Sequence, residues 1–183
     1  MSTQLTSPVG DRDHVAGPRD APVTLVEYGD FECPYCGMAH PIVKAAQRRM
    51  KKRLCFVFRH FPLTQAHPHA ERAAEAAEAA AAQGRFWEMH DMLFEHQDAL
   101  EDDDLLAYAL SLELDVERVR DALEAGLFLP RVREDFRSGV RSGVNGTPTF
   151  FVNGARYDGS WANIEAFIAA LRAAANNAVE ASA

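Results

Sequence analysis

The chain has 183 residues, 48% of them hydrophobic, and a formal net charge of −8. This length suffices for one domain with a sizeable core, with or without an insertion. The acidic balance disfavours nucleic acid as a partner, and no stretch approaches the roughly 20 apolar residues of a membrane-spanning helix. Three cysteines are too few for a scaffold held together by disulfides.

The first third of the chain predicts a strand, a helix and a second strand. Residues 23–29 are apolar on both faces, which is typical of a buried strand. Cys33-Pro34-Tyr35-Cys36 follows and opens a helix that extends to about Lys52, with Pro34 in the first turn, where a missing N–H costs nothing. Residues 54–58 are again a buried strand. This order predicts a βαβ unit with parallel strands.

The middle of the chain, from about residue 67 to 140, predicts helices alone. Their apolar residues recur at helical spacing, and Asp and Gly residues mark the ends. The predicted helices cover residues 70–83 and 85–97, and three more begin near 102, 115 and 128.

Strands return near the C-terminal end. Residues 149–152 predict a strand, Asn153-Gly154 a two-residue hairpin turn, and residues 155–157 the antiparallel return strand. Ser160 is the predicted cap of a last helix, whose alanine-rich end from Ala173 is expected to fray.

The C-x-x-C motif is the most informative feature of the sequence. Two cysteines at this spacing can close a disulfide with little backbone change, and a helix N-terminus favours an anion. The pKa of the first cysteine is therefore lowered, which makes it a thiolate nucleophile at neutral pH. A redox C-x-x-C after the first strand of a β-α-β, helical insert, β-β-α order predicts an α/β, thioredoxin-like fold.

Over about residues 17–175 the chain resembles the DsbA-like thiol–disulfide oxidoreductases, which interrupt a thioredoxin fold with an all-helical domain. The matching stretches are residues 26–36, 58–63 and 143–154, and they are specific in combination. The resemblance implies a thioredoxin-like domain at 21–65 and 141–176, a helical insertion at 66–140, and tails at 1–20 and 177–183.

The resemblance also implies roles for single residues. Cys33 is the attacking thiolate and Cys36 the resolving thiol. Glu27 is a buried carboxyl that exchanges a proton with Cys36 through water. Pro148 matches the family's cis-proline, which leaves the Thr147 backbone available to an extended client peptide, beside Pro34 and Tyr35.

The direction of electron flow is left open by two departures from the strongest oxidants of this family. These have a Pro-His pair where this chain has Pro34-Tyr35, and Tyr35 cannot carry a positive charge. We therefore expect the pKa of Cys33 to be higher than in those oxidants, although within the range of about 3.5–7.5 for such thiols, and the reduction potential to be less oxidising. Thr147 before the proline is found in other branches, including disulfide isomerases.

Three alternatives accompany this interpretation. Cys33 and Cys36 would be half of a zinc site if His67 and His69 supplied the other ligands. The insert-bearing fold also serves glutathione transferases and isomerases, which commonly have serine in place of Cys33. A third possibility is a binding module, either a peptide-binding chaperone or a regulator of a transporter.

Partners and location follow from the same interpretation. The resemblance implies client proteins with cysteines or disulfides, a redox-recycling partner or small thiol, and no metal or organic cofactor. We expect a cytoplasmic protein if Met1 is the native start, because no secretory signal is visible, and an extracytoplasmic one if a leader was removed. Cys55, in the second strand, is expected to be a buried structural residue.

Overall fold

The computed structural model describes residues 3–181, so the outermost residues of the two predicted tails, 1–2 and 182–183, lie outside it. The chain divides into two compact units. The sheet unit comprises residues up to 28, residues 38–59 and residues from 138 onward. The helical unit comprises residues 29–37 and 60–137.

The sheet has five strands in the order β1-β3-β2-β4-β5. Antiparallel pairs join β1 to β3, β2 to β4 and β4 to β5. The strands are β1 (His14–Ala16), β2 (Val23–Gly29), β3 (Leu54–His60), β4 (Thr149–Val152) and β5 (Ala155–Tyr157). The predicted hairpin turn is confirmed, since Asn153 and Gly154 both have positive φ, at 48° and 83°.

The helices follow the predicted order, and among residues 3–181 none is long and apolar enough to cross a membrane. They are α1 (Pro34–Met50), α2 (Ala70–Ala81), α3 (Phe86–Glu95), α4 (Asp102–Ser111), α5 (Val116–Glu124), α6 (Leu129–Arg141) and α7 (Ile164–Ala181).

Aromatic rings fill the core of the sheet unit. Tyr28 on β2 meets Phe151 on β4 edge to face, with ring centroids 5.9 Å apart. Phe150 contacts Phe167 of α7 at 5.3 Å. These four side chains are fully buried, so β4 contributes large apolar groups to both faces of the sheet.

A buried arginine links the N-terminal segment to the sheet. The Arg59 guanidinium donates to both carboxylate oxygens of Asp13, at 2.7 and 3.0 Å. Its remaining hydrogen bonds reach the carbonyls of Ser7 and Pro8 and the Tyr28 hydroxyl. The segment before β2, which the sequence predicts as a tail, therefore contains β1 and is held against β3.

The last helix corrects two sequence predictions. It begins at Ile164 and is capped by Asn163, whose Oδ1 accepts from the Ala166 N–H at 3.1 Å, so the predicted cap at Ser160 is wrong. It also continues to Ala181, past the expected fraying point at Ala173. Ala175 is fully buried, and Asn176 accepts a hydrogen bond from Arg53 at 2.6 Å, which explains the longer helix.

The helical unit is built around α2, which contacts α3, α4 and α5. Alanines dominate the buried side of α2, and their small side chains allow neighbouring helices to approach closely. Phe31, in the segment 29–37, inserts against α3, with its ring 5.7 Å from His90 and 4.9 Å from Phe94. These ring contacts fix the segment that carries the C-x-x-C motif within the helical unit.

Candidate active site

The C-x-x-C motif lies at the N-terminus of α1, as the sequence predicts. Cys33 immediately precedes the first helical residue, Pro34, and Cys36 lies in the first turn. Both cysteines are buried thiols, whereas the two residues between them are exposed, Tyr35 at 61%. The motif thus presents Pro34 and Tyr35 to solvent above two protected sulfur atoms.

Backbone hydrogen bonds define the turn that carries the motif. The Cys33 N–H donates to the Asp30 carbonyl at 3.2 Å, and the Gly37 N–H donates to the Cys33 carbonyl at 3.1 Å. The Asp30 N–H points to the Cys36 sulfur, 3.5 Å away. Cys33 therefore sits where the helix dipole and the unpaired N–H groups of the first turn favour a thiolate.

Gln97 holds this turn from the segment that follows α3. Its Nε2 donates to the carbonyls of Phe31 and Cys33, at 2.7 and 2.9 Å. A Cβ at Gly37 would lie only 2.0 Å from Gln97 Oε1, so glycine is required for this close approach. The sequence predicted Gln97 as the last residue of a helix, but α3 ends at Glu95 and leaves Gln97 available for these contacts.

Asp30 is a second anchor, and its side chain is fully buried. Its carboxylate accepts from the backbone N–H groups of Glu32 and Leu63, both at 2.8 Å, and from His67 Nδ1 at 2.7 Å. Partial burial disfavours the charged form of His67, but the hydrogen bond and negative charge of Asp30, with the charges of Cys33 and Glu32, raise its pKa above 6.5.

A similar pair lies beside it. His69 Nδ1 is 3.0 Å from Glu32 Oε1, and the His69 N–H donates to Glu32 Oε2 at 2.7 Å. The hydrogen bond to Glu32 raises the pKa of His69, as do the charges of Glu32 and Glu101. From the sequence, both histidines were possible zinc ligands, but a surface or capping role without catalysis was preferred, and nothing in the local pattern indicated their carboxylate partners.

The zinc alternative finds no support in this geometry. Nδ1 of each histidine bonds a carboxylate, which leaves only Nε2 as a possible metal ligand. Neither Cys33 nor Cys36 belongs to a group of three potential metal ligands within residues 3–181. A tetrahedral structural zinc requires four such ligands.

The remaining predicted site residues belong to the sheet unit. Glu27, on β2, is buried at 2% exposure and lies opposite Phe150 of β4. The Thr147–Pro148 bond, which directly precedes β4, is cis, as the resemblance implied. Next to it, the Thr149 hydroxyl donates to the Gly146 carbonyl at 2.7 Å. The burial of Glu27 agrees with expectation, while the roles of Glu27, Thr147 and Pro148 stay predictions.

Cys55 lies on β3 and is 1% exposed. Burial raises the pKa of its thiol, and a hydrogen bond with Thr24 offsets this only in part. The structure thus surrounds Cys55 with core residues and keeps it in the unreactive thiol form.

Comparison with known proteins identifies the family. A family model described as thioredoxin matches residues 10–170. Among curated proteins, the Na(+)/H(+) antiporter NhaA 1 of Salinispora arenicola is 56% identical over 164 residues, which cover 90% of this chain and 25% of that protein. This chain spans about a quarter of the length of the curated relatives it matches.

Solved structures share the whole fold. BdbD from Bacillus subtilis superimposes with a TM-score of 0.84 at 24% identity, covering 96% of this chain and 100% of that one. Alpha-DsbA1 from Wolbachia pipientis gives a TM-score of 0.83 at 18% identity, with both chains fully covered. The predicted DsbA-like arrangement, a thioredoxin fold with helical additions, is confirmed.

Proposed function

Because this chain belongs to the thioredoxin family over most of its length, we propose that it is a thiol–disulfide oxidoreductase that exchanges disulfides with protein cysteines. One observation carries the proposal. Cys33 and Cys36 flank an exposed dipeptide at the N-terminus of α1, where the first sulfur is electrostatically favoured as a thiolate and the second is one turn further along.

In the reductive direction, the Cys33 thiolate attacks one sulfur of a client disulfide. A Cys33–client S–S bond forms as the client S–S bond breaks, and the other client sulfur leaves as a thiolate. Cys36 then loses its proton and attacks the Cys33 sulfur, which releases the second client thiolate. Two electrons pass from the Cys33/Cys36 pair to the client, whose two thiolates take up protons. The reverse sequence oxidises a client dithiol.

Glu27, Thr147 and Pro148 complete the proposal. Glu27 is assigned the proton that Cys36 loses, because a buried carboxyl on β2 is suited to proton exchange. The backbone of Thr147 and Pro148 binds the extended client peptide, and Pro34 and Tyr35 contribute to the choice of client. Glu27→Gln should slow resolution of the mixed disulfide and flatten its pH dependence while leaving the first attack intact.

The direction of exchange is decided by the reduction potential. The pair is equilibrated with glutathione buffers of defined ratio and the disulfide fraction is measured by intrinsic fluorescence. A value near −120 mV would assign a disulfide donor, and one near −270 mV a reductase. A donor also needs an oxidising compartment and an oxidising partner, whereas a reductase needs a reducing partner or small thiol.

Trapping tests the exchange itself. With Cys36→Ser, the mixed disulfide between Cys33 and a client accumulates and is identified by mass spectrometry, whereas Cys33→Ser forms none. If the wild-type chain forms no Cys33–Cys36 disulfide at any glutathione ratio, the proposed function is wrong. Protection of an aggregating protein that survives in the double cysteine variant would instead favour a chaperone. Glutathione conjugation that survives there would favour a transferase.

A second candidate rests on the similarity to the NhaA 1 antiporter. The 56% identity over 164 residues favours a role in thiol-dependent control of a Na(+)/H(+) antiporter, which is either part of the same polypeptide or a separate protein. The test is sodium-driven proton exchange in vesicles that contain an NhaA-type antiporter from the same organism. Regulation requires that exchange differ between the oxidised and reduced chain, and that the double cysteine variant show no such difference.

A further inference from the structure

His67 and Asp30 form a partly buried ion pair at the redox turn, with His67 Nδ1 2.7 Å from Asp30 Oδ2. His67 comes from the segment between β3 and α2, and its side chain is 17% exposed. Asp30 touches the redox turn at both ends, because its carbonyl accepts from the Cys33 N–H and its own N–H points to the Cys36 sulfur. The residue whose carboxylate holds His67 therefore contacts both cysteines through its backbone.

Alone, the Asp30 carboxylate would work against a thiolate. A second negative charge close by raises the pKa of a thiol, and a buried carboxylate itself needs compensation. Protonated His67 compensates the buried Asp30 carboxylate. Its positive charge also offsets the effect of that carboxylate on the pKa of the thiol. The charged groups that act on His67 are Asp30, Glu32 and Cys33. Glu32 is in turn paired with His69.

The interaction between His67 and Cys33 must act on both partners. A thiolate at Cys33 raises the pKa of His67. Coupling between two sites is reciprocal, so protonated His67 favours the thiolate of Cys33 by the same free energy. Tyr35, between the cysteines, is exposed and supplies no positive charge.

We propose that His67, held by Asp30, is the positioned cation that stabilises the Cys33 thiolate in this chain. His67 acts through its charge and forms no bond with a client. The inference rests on the proposed function only in its consequence for the potential. By stabilising the reduced form, His67 makes the Cys33/Cys36 pair more oxidising than α1 alone would.

The direct test is the pKa of Cys33 in a Cys36→Ser background, measured as the pH dependence of its alkylation rate by mass spectrometry of the Cys33 peptide. His67→Gln keeps a hydrogen-bond donor for Asp30 but removes the charge, and is expected to raise the pKa of Cys33 by about one unit. His67→Lys restores a cation and should restore most of the shift. His69→Gln is the matched control and should change the pKa of Cys33 by less, because the charges that act on His69 are those of Glu32 and Glu101 and not that of Cys33.

Two further measurements separate a charge effect from a structural one. With both cysteines present, His67→Gln should lower the equilibrium constant for oxidation of glutathione by the Cys33–Cys36 disulfide about tenfold, equivalent to about 30 mV. By NMR, Cys33→Ser should lower the pKa of His67, which requires no His67 variant to fold.

An unchanged Cys33 pKa in His67→Gln, an equal change in His69→Gln, or an unchanged His67 pKa in Cys33→Ser would overturn the inference. The thiolate titration needs neither disulfide nor client. Failure to form a Cys33–Cys36 disulfide would therefore reject the proposed function while leaving this inference to be decided by the titration.

Discussion

Arg59 places a permanent positive charge inside the sheet unit, where its side chain is 3% exposed. Burial disfavours the charge, but the hydrogen bond to Asp13 and the contact with Tyr28 keep the pKa of Arg59 above its ordinary value. The guanidinium stays charged because the N-terminal segment supplies a carboxylate and two carbonyls. This one residue therefore explains why β1 lies on the sheet although its sequence is neither strongly apolar nor alternating.

Asp13→Asn should be strongly destabilising, because it leaves the buried Arg59 charge without its counter-ion. We expect a loss of about 3–5 kcal/mol in the free energy of unfolding by urea denaturation. The control is Arg49→Gln, which breaks the exposed pair with Glu165 and should cost less than about 1 kcal/mol. Equal losses in the two variants would contradict the assigned role of the Arg59–Asp13 pair.

Glu75, on α2, gives a pH-dependent prediction. Its Oε2 is buried with no hydrogen-bond partner among residues 3–181, and burial raises the pKa of its carboxyl above 4.5. A raised pKa means that the folded state holds this proton more tightly. The contribution of Glu75 to stability is therefore present below about pH 4.5 and is lost as the pH rises through the pKa in the folded state.

Glu75→Met should accordingly stabilise the chain at pH 7.5 by about 1–2 kcal/mol, because it removes a buried acceptor without a partner. Urea denaturation should show a smaller gain at pH 4.5. Glu71→Met, one turn earlier at a more exposed position, serves as control and should show no such gain. A gain for Glu75→Met that does not grow between pH 4.5 and 7.5 would contradict the account.

At the scale of elements, the first turn of α1 depends on a residue that belongs to no helix. Gln97 bonds the carbonyls of Phe31 and Cys33, and Gly37 leaves room for its side chain. Gly37→Ala would force the Gln97 amide away from these carbonyls, which is the same loss that Gln97→Ala produces. The two substitutions therefore act on one contact.

Each of these variants should lose about 1–3 kcal/mol in the free energy of unfolding. The double variant should lose little more than either one, because residues in contact are not additive. Gly10→Ala is the control for a glycine substitution, since a Cβ there meets open space. Full additivity of Gly37→Ala and Gln97→Ala in urea denaturation would rule out a shared contact.

The elements themselves were largely predictable from local pattern. The apolar run 23–29, Pro34 after Cys33, and the Asn153-Gly154 turn each specify their structure within a few residues. β1 was not predictable, because a three-residue edge strand is defined by its pairing with β3 rather than by its own composition. The prediction of the first residue of α7 was wrong because Ser160 and Asn163 are both good caps, and only tertiary packing selects between them.

The residues of the candidate site also differ in whether the sequence could predict them. Cys33 and Cys36 were identifiable because their spacing alone positions both thiols on one helical turn. Asp30 pairs with His67 across 37 positions and Gln97 reaches Cys33 across 64, so no local pattern records these contacts. The chemistry of the site was therefore predictable, while the groups that set its electrostatics were not.

At the scale of the whole molecule, redox state and stability are linked. Interactions that favour the Cys33 thiolate exist only in the folded, reduced chain, so the reduced chain is expected to be the more stable form. Each 30 mV by which the folded pair exceeds the potential of the unfolded chain corresponds to about 1.4 kcal/mol. The measurement is urea denaturation of the oxidised and the reduced chain.

The Cys33→Ser, Cys36→Ser double variant provides the control, because its midpoint should not depend on the redox buffer. In the His67→Gln variant, the difference in free energy of unfolding between the oxidised and the reduced chain should be smaller than in the wild type. An oxidised chain that is more stable than the reduced one would show that the folded state favours the disulfide, and the pair would then act as a reductant.

The burial of Cys55 on β3 has a practical consequence for counting thiols in complex mixtures. Under native conditions a maleimide should react at Cys33, which is favoured as a thiolate, and leave Cys55 unlabelled, because burial raises the pKa of the Cys55 thiol and keeps it protonated. After denaturation every chain, oxidised or reduced, takes a label on Cys55, and a reduced chain takes two more on Cys33 and Cys36, so Cys55 serves as an internal standard of chain amount. A gel-shift ladder of whole cells can thus record the in vivo redox state of the unaltered protein.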